Sequence, residues 1–196
     1  MKISIVPYQP EWPKMFESEK LKIEQALKEL RPRVDHIGST SVAGLAAKPI
    51  IDILVGISSD EFLEQTIAPM IAAGYTYFKK YESGMPYRRL FAKLHSPDNE
   101  PIPERVMPED DIVTGRDFIS LANIHIITEG TVNWKRHIAF RDYLRSHENE
   151  RNEYQVLKIE ISKREFRDTP DYNDAKNDFV KKVEKMALDW YDSLSK

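Results

Sequence analysis

Two adjacent stretches of the chain carry residues that could bind a phosphate group. Residues 38–41 read Gly-Ser-Thr-Ser, and the apolar run 50–55 that follows them contains one carboxylate, Asp52. Glycine lets the backbone approach a ligand closely, and nearby N–H groups and hydroxyls can hydrogen-bond phosphate oxygens. We therefore predict phosphate or nucleotide contacts from Gly38, Ser39, Thr40 and Ser41, with Lys48 as a nearby cation.

Asp52 needs a partner, because an unpaired charge inside a protein is strongly unfavourable. Strand alternation places it on the same face as Ile50 and Leu54, so it interrupts an apolar face. The partner can be a bound metal or substrate, or it can be a structural cation such as Lys48, Arg88 or Arg89. The residues alone leave both interpretations open.

A second group of cations lies in the strand-like stretch 87–94. Alternation puts Arg89 and Lys93 on one face and Arg88 on the other. An arginine and a lysine on one face could neutralise a triphosphate, so we predict that Arg89 and Lys93 bind phosphate. The alternative is that one arginine pairs with Asp52 or Glu82.

The predicted elements form a mixed sheet followed by helices. We predict a first amphipathic helix over 11–30 and a second helix over 60–73, which ends at Gly74. Strands are predicted at 34–37, 50–55, 75–78, 87–94 and 123–128, with Asn123 and His125 on one face of the last. The proline-rich segment 95–117 is predicted to be an irregular, mobile surface loop. The remainder is predicted to form helices over 132–146, 149–167 and 172–194.

This pattern predicts an α+β fold, with a sheet domain over 1–130 and a C-terminal helical segment over 131–196 packed on it as one structural unit. The predicted core comprises Ile51, Ile53, Val55, Leu90, Ile124, Ile126, Ile138 and Phe140. In the first of the three C-terminal helices, predicted over 132–146, Arg141 and Asp142 are expected to form a buried ion pair that holds the helix against the sheet.

Composition limits the classes of function. The 196 residues carry a formal net charge of -3, which gives no global reason to expect nucleic acid or an anionic membrane as partner. The absence of cysteine excludes a disulfide framework, a thiolate nucleophile and a zinc–thiolate site. With no long apolar stretch in the sequence, we expect a cytoplasmic protein, and the sequence does not indicate its oligomeric state.

Several separated stretches resemble the GrpB family, a group of small proteins with a nucleotidyltransferase-like fold. They read VPYQPEWPKMFESE, HIGSTSVAGLAAKPIIDILV, MPYRRLFAK and NIHIITEGTVNWKRHIAFRDYLRSHENERNEYQVLKIEIS, with YNDAKNDFV near the end. The resemblance covers nearly the whole chain outside the proline-rich segment. It implies a Gly-Ser turn that holds nucleotide phosphates and a strand carboxylate that holds a divalent metal.

Carried over to this sequence, the resemblance makes Asp52 and His125 the catalytic and metal-binding candidates. Glu82 is the candidate for a third metal ligand, although the resemblance does not identify one. The implied metal is magnesium or manganese, with zinc as an alternative. This chain departs from active nucleotidyltransferases at Ile50, where those enzymes carry a first carboxylate, and it has Asn123 where the family tends to have a second histidine. Lys158 and Lys176 match family positions and could reach a phosphate, but as helix lysines they are expected to be solvated.

The resemblance favours a protein that binds a nucleotide or related phosphate compound and transfers a nucleotidyl group with a metal. One alternative is a non-catalytic binding or regulatory module for a nucleotide or a coenzyme A-related ligand, since some relatives are fused to dephospho-coenzyme A kinase. Another is an interaction protein whose charged C-terminal helices meet a partner.

Overall fold

The protein is built around one six-stranded mixed sheet with helices on both faces. The computed structural model describes residues 2–194. The strands are β1 Arg33–Ile37, β2 Ile51–Ile57, β3 Thr76–Phe78, β4 Arg88–His95, β5 Arg105–Val106 and β6 Ile119–Thr128. The helices are α1 Trp12–Ala26, α2 Ile67–Ala72, α3 Val132–Ser146, α4 Glu148–Ser162, α5 Thr169–Asp174 and α6 Asn177–Ser193. The predicted α+β class with a helical C-terminal segment is confirmed.

The strand order is β1-β2-β6-β4-β3-β5, with β2 parallel to β6 and antiparallel to β1. The register pairs Asp52 with Asn123, and it pairs His125 with Leu54 on one side and Leu90 on the other. Side chains of paired residues share a face of a sheet. Asp52, Asn123 and His125 therefore lie on one face, which we call the site face.

The opposite face of the sheet holds the main apolar core. Ile51, Ile53 and Val55 of β2 pack with Ile124 and Ile126 of β6 beneath α1 and α2. These β-branched residues alternate with the site-face residues along each strand, as a sheet covered on both faces requires. Of the predicted core residues, Leu90 and Phe140 are only partly buried.

The helix predicted over 60–73 is shorter than expected. Two short 3₁₀ turns, Asp60–Phe62 and Glu64–Thr66, precede the six-residue helix α2. The physical reason is Pro69, which lacks an N–H group and would clash with a carbonyl in the interior of a long helix. In the observed arrangement Pro69 lies in the first turn of α2, where that N–H group is not needed.

The segment 95–117 is not wholly an irregular surface loop. Its strand β5 pairs in parallel with β3 at the sheet edge, and Val106 is fully buried with Phe78, Leu94 and Phe118. The prediction missed this strand because two residues between prolines carry no alternation pattern.

The C-terminal helices cover the site face. Trp134 and Ile138 of α3 pack on Leu54 and Ile127, and α3 in turn packs against α4 and α6. The sequence predicted a single helix over 172–194. The structure has two helices there, α5 and α6, separated by residues 175 and 176. Within residues 2–194, no helix combines the length and apolarity that crossing a bilayer would require.

Candidate functional site

The backbone of Gly38 lies directly against the side chain of Asp52. The backbone of Gly38 has φ +68°, and a Cβ atom built there would lie 2.4 Å from Asp52 Oδ2. A positive φ combined with the extended ψ of -173° is a conformation essentially confined to glycine, and so close an approach leaves no room for a Cβ atom. The Gly-Ser turn and the strand carboxylate thus form one unit, in which Asn123 Nδ2 also donates a hydrogen bond of 3.0 Å to Asp52 Oδ1.

The hydroxyls of Ser39, Thr40 and Ser41 in the turn have different hydrogen-bond partners. Thr40 is buried, and its Oγ1 donates to Ile50 O while lying 3.0 Å from His36 Nε2. Ser41 Oγ donates to Gly38 O. These two hydroxyls close the turn itself, whereas Ser39 Oγ faces the cleft and accepts a 3.0 Å hydrogen bond from Lys158 Nζ.

Three lysines from separate segments line the cleft beside Ser39. Lys48 comes from the loop after the turn, Lys158 from α4, and Lys176 from the junction of α5 and α6. The ring of Tyr172 is near two of them, with its centroid 5.3 Å from Lys48 Nζ and 4.9 Å from Lys176 Nζ. Since cations are attracted to aromatic faces, Tyr172 stabilises both ammonium groups.

Lys158 is the most unusual of the three lysines. Only 2% of its surface is exposed, and its ammonium group donates to Ser39 Oγ and Ala46 O. Burial, reinforced by the charge of Lys176, lowers the pKa of Lys158 to about 7. The free site therefore contains a lysine that is only partly protonated at neutral pH, and an anion beside it would restore its charge.

The other charges in the cleft influence one another. Burial and the neighbouring Lys176 lower the pKa of Lys48. Burial also acts to lower the pKa of Lys176, but Tyr154, Tyr172 and Asp52 outweigh it and the pKa is raised. Burial raises the pKa of Asp52 despite the hydrogen bond from Asn123 and the charges of Lys176 and Lys48. Asp52 is therefore one of the groups, after Tyr154 and Tyr172, that act to raise the pKa of Lys176.

Together these residues form a cleft with a volume of about 180 Å³. Most of the residues that line it are polar or charged. They are Ser39, Thr40, Lys48, Asp52, Asn123, His125, Lys158, Thr169, Tyr172, Asn173 and Lys176, together with the apolar Ala47 and Ile50. Three lysines facing one carboxylate give the cleft an excess of positive charge, although the whole chain is acidic. Such a cleft attracts an anion.

His125 lines this cleft, and one of its ring nitrogens is bonded to Arg88. Arg88 Nη1 lies 3.1 Å from His125 Nδ1, and because a guanidinium can only donate, Nδ1 must be the acceptor. Burial, with the nearby positive charges of Arg88, His137 and Arg136, lowers the pKa of His125 well below its usual value. The ring is therefore neutral with its proton on Nε2, so neither nitrogen offers a free lone pair.

These residues do not fit a divalent metal. Asp52 is the one carboxylate of the cleft, its Oδ1 already accepts from Asn123, and His125 has no free lone pair. Glu82 does not join them, since it forms an ion pair of 3.2 Å with Arg89. No cluster of three or more His, Cys, Asp or Glu side chains suited to a metal exists in the described part of the chain. A cation would also be repelled by the three lysines.

Arg89 and Lys93 are not part of this cleft. Both alternate with Leu90 and Ala92 along β4 and therefore project from the opposite face of the sheet. Arg89 pairs with Glu64 and Glu82, and Lys93 Nζ lies 5.8 Å from the ring of Tyr75. The structure thus brings together the predicted residues Gly38, Ser39, Thr40, Lys48, Asp52 and His125, and it separates Arg89, Lys93 and Glu82 from them. Ser41 lies beside the cleft in the turn.

Sequence reasoning undervalued the lysines of the C-terminal helices. Lys158 is buried rather than solvated, and Lys176 faces the cleft, so the expectation of two solvated helix lysines is wrong. One signal was available for Lys158, because it lies between Tyr154 and Ile161 on the apolar face of α4. Tyr172, Asn173 and Thr169 of α5 carried no such signal.

Comparisons with known proteins agree with the resemblance seen in the sequence. The chain is 34% identical over 188 residues to UPF0157 protein BH1888 of Halalkalibacterium halodurans, covering 94% of this chain and 82% of that protein. The crystal structure of conserved protein GrpB from Enterococcus faecalis superposes with a TM-score of 0.72 at 33% identity, covering 96% of this chain and 99% of that one.

A more distant relative is a protein named dephospho-CoA kinase in Mycolicibacterium paratuberculosis. It is 27% identical over 201 residues and matches 97% of this chain, which spans only 47% of that protein. The family model described as GrpB protein matches residues 2–186. On the combined evidence of this match, the relative and the solved structure, the chain belongs to the GrpB family.

Proposed function

We propose that the protein binds a small molecule through a phosphate group in the cleft between the 38–41 turn and α5. The observation that carries this proposal is the convergence of Lys48, Lys158 and Lys176 on the hydroxyl-bearing turn, with a single carboxylate opposite them. Phosphate oxygens accept hydrogen bonds from ammonium groups and from hydroxyls. A nucleotide or a related phosphate ester belongs to this class of ligand.

Each group would have a distinct role in holding the phosphate. Lys176 supplies a charge that is present at neutral pH, and Lys158 gains its charge as the anion binds. Ser39 Oγ accepts from Lys158, so its own hydroxyl proton is free to be donated to a phosphate oxygen. Nucleotidyl transfer through a resident metal would need oxygen ligands that this cleft lacks, so we propose binding as the primary activity.

The test is calorimetric titration of inorganic phosphate and of nucleoside triphosphates, with and without magnesium or manganese. We expect phosphate to bind without metal, and Lys176→Met to weaken it by roughly ten- to a hundredfold, since a hydrogen bond to a charged group contributes about 1.5–3 kcal/mol. The matched control is Lys93→Met, which removes a lysine from the other face of the sheet and should leave binding unchanged.

Asp52→Asn separates phosphate binding from metal-dependent chemistry. The variant keeps the shape and removes the negative charge, so without a metal requirement it should bind phosphate at least as tightly as the native protein. Binding that needs the metal and is lost in Asp52→Asn would instead support metal-assisted nucleotidyl transfer. Absence of any phosphate binding would refute the proposal.

A second candidate is a coenzyme A-related ligand, and the observation that favours it is a neighbouring, more apolar cleft. This cleft, of about 330 Å³, is lined by Phe78, Tyr81, Met85, Leu90 and Ala92 and shares Asn123, His125, Thr169 and Asn173 with the first. It could accept an uncharged arm attached to a phosphate. Tighter binding of dephospho-coenzyme A than of ADP would support this candidate, and equal binding would contradict it.

A further inference from the structure

Arg88 is a charged residue in the wall of the second cleft without an acidic partner. It is half-buried, and the one hydrogen bond described for its guanidinium runs to the neutral ring of His125. Within residues 2–194 it forms no ion pair with Asp or Glu, although Asp174 lines the same cleft. A guanidinium removed from water without a counter-ion is costly, and proteins usually provide such a partner.

The surroundings of Arg88 add positive charge rather than neutralise it. Burial lowers the pKa of Arg88, Tyr87 acts to raise it, the charge of Arg136 on α3 lowers it, and Tyr81 acts to raise it. The ring centroid of His137 lies 5.8 Å from that of His125. Arg136 Nη1 is 3.5 Å from Glu184, but its Nε is buried and has no hydrogen-bond partner among residues 2–194. Glu184 therefore pairs with Arg136 and not with Arg88.

Arg88 lies close to the phosphate cleft, because it contacts a residue that lines that cleft. Its guanidinium contacts His125, while Asp52 is bonded to Asn123, two residues earlier on β6. At about 3.3 Å per residue along a strand, the two positions are separated by about 7 Å. Both clefts share Asn123, His125, Thr169 and Asn173, so one ligand can extend from the lysines to Arg88.

We propose that Arg88 forms a second anion subsite, so that the ligand carries two separated anionic groups, one held by the lysines and one by Arg88. This inference rests on the proposed function, because the lysine cleft holds the first of the two groups. The second group is a phosphate or a carboxylate, since both match the planar donors of a guanidinium. Phe78, Tyr81 and Leu90 contact the part of the ligand between or beside the charged ends.

The experiment compares ligands with one and two anionic groups. Inorganic phosphate and a monoalkyl phosphonate probe the lysine cleft alone. Alkane bisphosphonates and phosphonoalkanoic acids of graded chain length probe both subsites, and the two series distinguish a second phosphate from a carboxylate. We expect one chain length to bind more tightly than the monoalkyl phosphonate by on the order of tenfold or more, the range of a charge-assisted hydrogen bond.

Arg88→Gln should remove this gain while leaving the affinity for inorganic phosphate unchanged. The glutamine amide can still donate to His125, so the ring keeps its neutral form. The matched control is Arg89→Gln, which alters the next residue on the opposite face and should leave the affinity for both kinds of ligand unchanged. Thermal unfolding serves as the folding check, and loss of an unpaired half-buried charge should not lower the melting temperature of Arg88→Gln.

Three outcomes would overturn the inference. Bisphosphonates and phosphonoalkanoic acids of every length could bind no better than the monoalkyl phosphonate, or Arg88→Gln could retain the full gain. Failure of inorganic phosphate itself to bind the native protein would refute the proposed function and the second subsite together. A gain that is lost in Arg88→Gln but kept in Arg89→Gln would support the subsite.

Discussion

Lys158→Met should stabilise the protein, and by an amount that depends on pH. The native ammonium group is buried against Ser39 and Ala46, and its pKa is about 7 instead of the ordinary 10.5. Methionine has a similar length and no charge, so the variant loses two hydrogen bonds and also loses the cost of burying a cation. We expect the gain to be largest where Lys158 would be charged.

The sign and size of the pH dependence follow from linkage. Between the two pKa values the unfolded chain keeps a proton on Lys158 that the folded state has released, so the free energy of unfolding rises with pH. Below the folded pKa, lysine is charged in both states and its burial penalty is largest. The resulting change is on the order of 2.5 kcal/mol between about pH 6 and about pH 9, and Lys158→Met should lack it.

Denaturant unfolding of both proteins at a series of pH values measures this difference. Taking the difference between the two proteins cancels the titration of all other groups, provided that their environments are unchanged. A difference that shrinks by roughly 2.5 kcal/mol from about pH 6 to about pH 9 confirms the reasoning. Parallel curves would show that Lys158 keeps an ordinary pKa, which would refute the account of the site given above.

Three further predictions test neighbouring features. At about pH 8, binding of sulfate should take up protons as Lys158 recharges, so its calorimetric enthalpy should vary with the ionisation enthalpy of the buffer; a constant enthalpy would contradict this. Gly38→Ala should lower the free energy of unfolding by at least about 2 kcal/mol, and by more than Gly44→Ala, which has a similar positive φ but open space around it. Arg141→Met should cost about 2 kcal/mol, because it removes the buried cation that joins Asp35 to Asp142 and leaves them only the more exposed Arg33 and Arg145, whereas Arg33→Met should cost under about 1 kcal/mol; equal effects in denaturant unfolding would contradict the burial argument.

Alternation along single strands could be predicted from the sequence because it is a local property with a period of two residues. It correctly placed Asn123 and His125 on one face, and it correctly separated Arg88 from Arg89. Which of the two arginines faces Asp52 depends on the register between β4 and β6, and no local pattern specifies that register. Alternation alone could therefore not decide whether Arg88 or Arg89 lies on the face that carries the phosphate site.

The lysines of the site were difficult to predict for a different physical reason. Lys158 and Lys176 lie more than a hundred residues from the turn in sequence, and most helix lysines are solvated. Their role depends on how α4, α5 and α6 pack over the site face, which is a tertiary property. The ion pair of Arg141 was easier to anticipate, although its link to the sheet is made by Asp35 of β1 in addition to its neighbour Asp142.

The role of Asp52 follows from the balance of charge rather than from metal chemistry. Its carboxylate is pressed against Gly38, bonded to Asn123 and opposed by the lysines, and it helps to keep the pKa of Lys176 raised. No carboxylate among residues 2–194 acts in this way on Lys158, and burial lowers its pKa to about 7. An arriving phosphate would therefore meet Lys176 already charged and Lys158 only partly charged. The site becomes fully cationic only when its ligand is bound, so the cost of burying all three charges is confined to the complex.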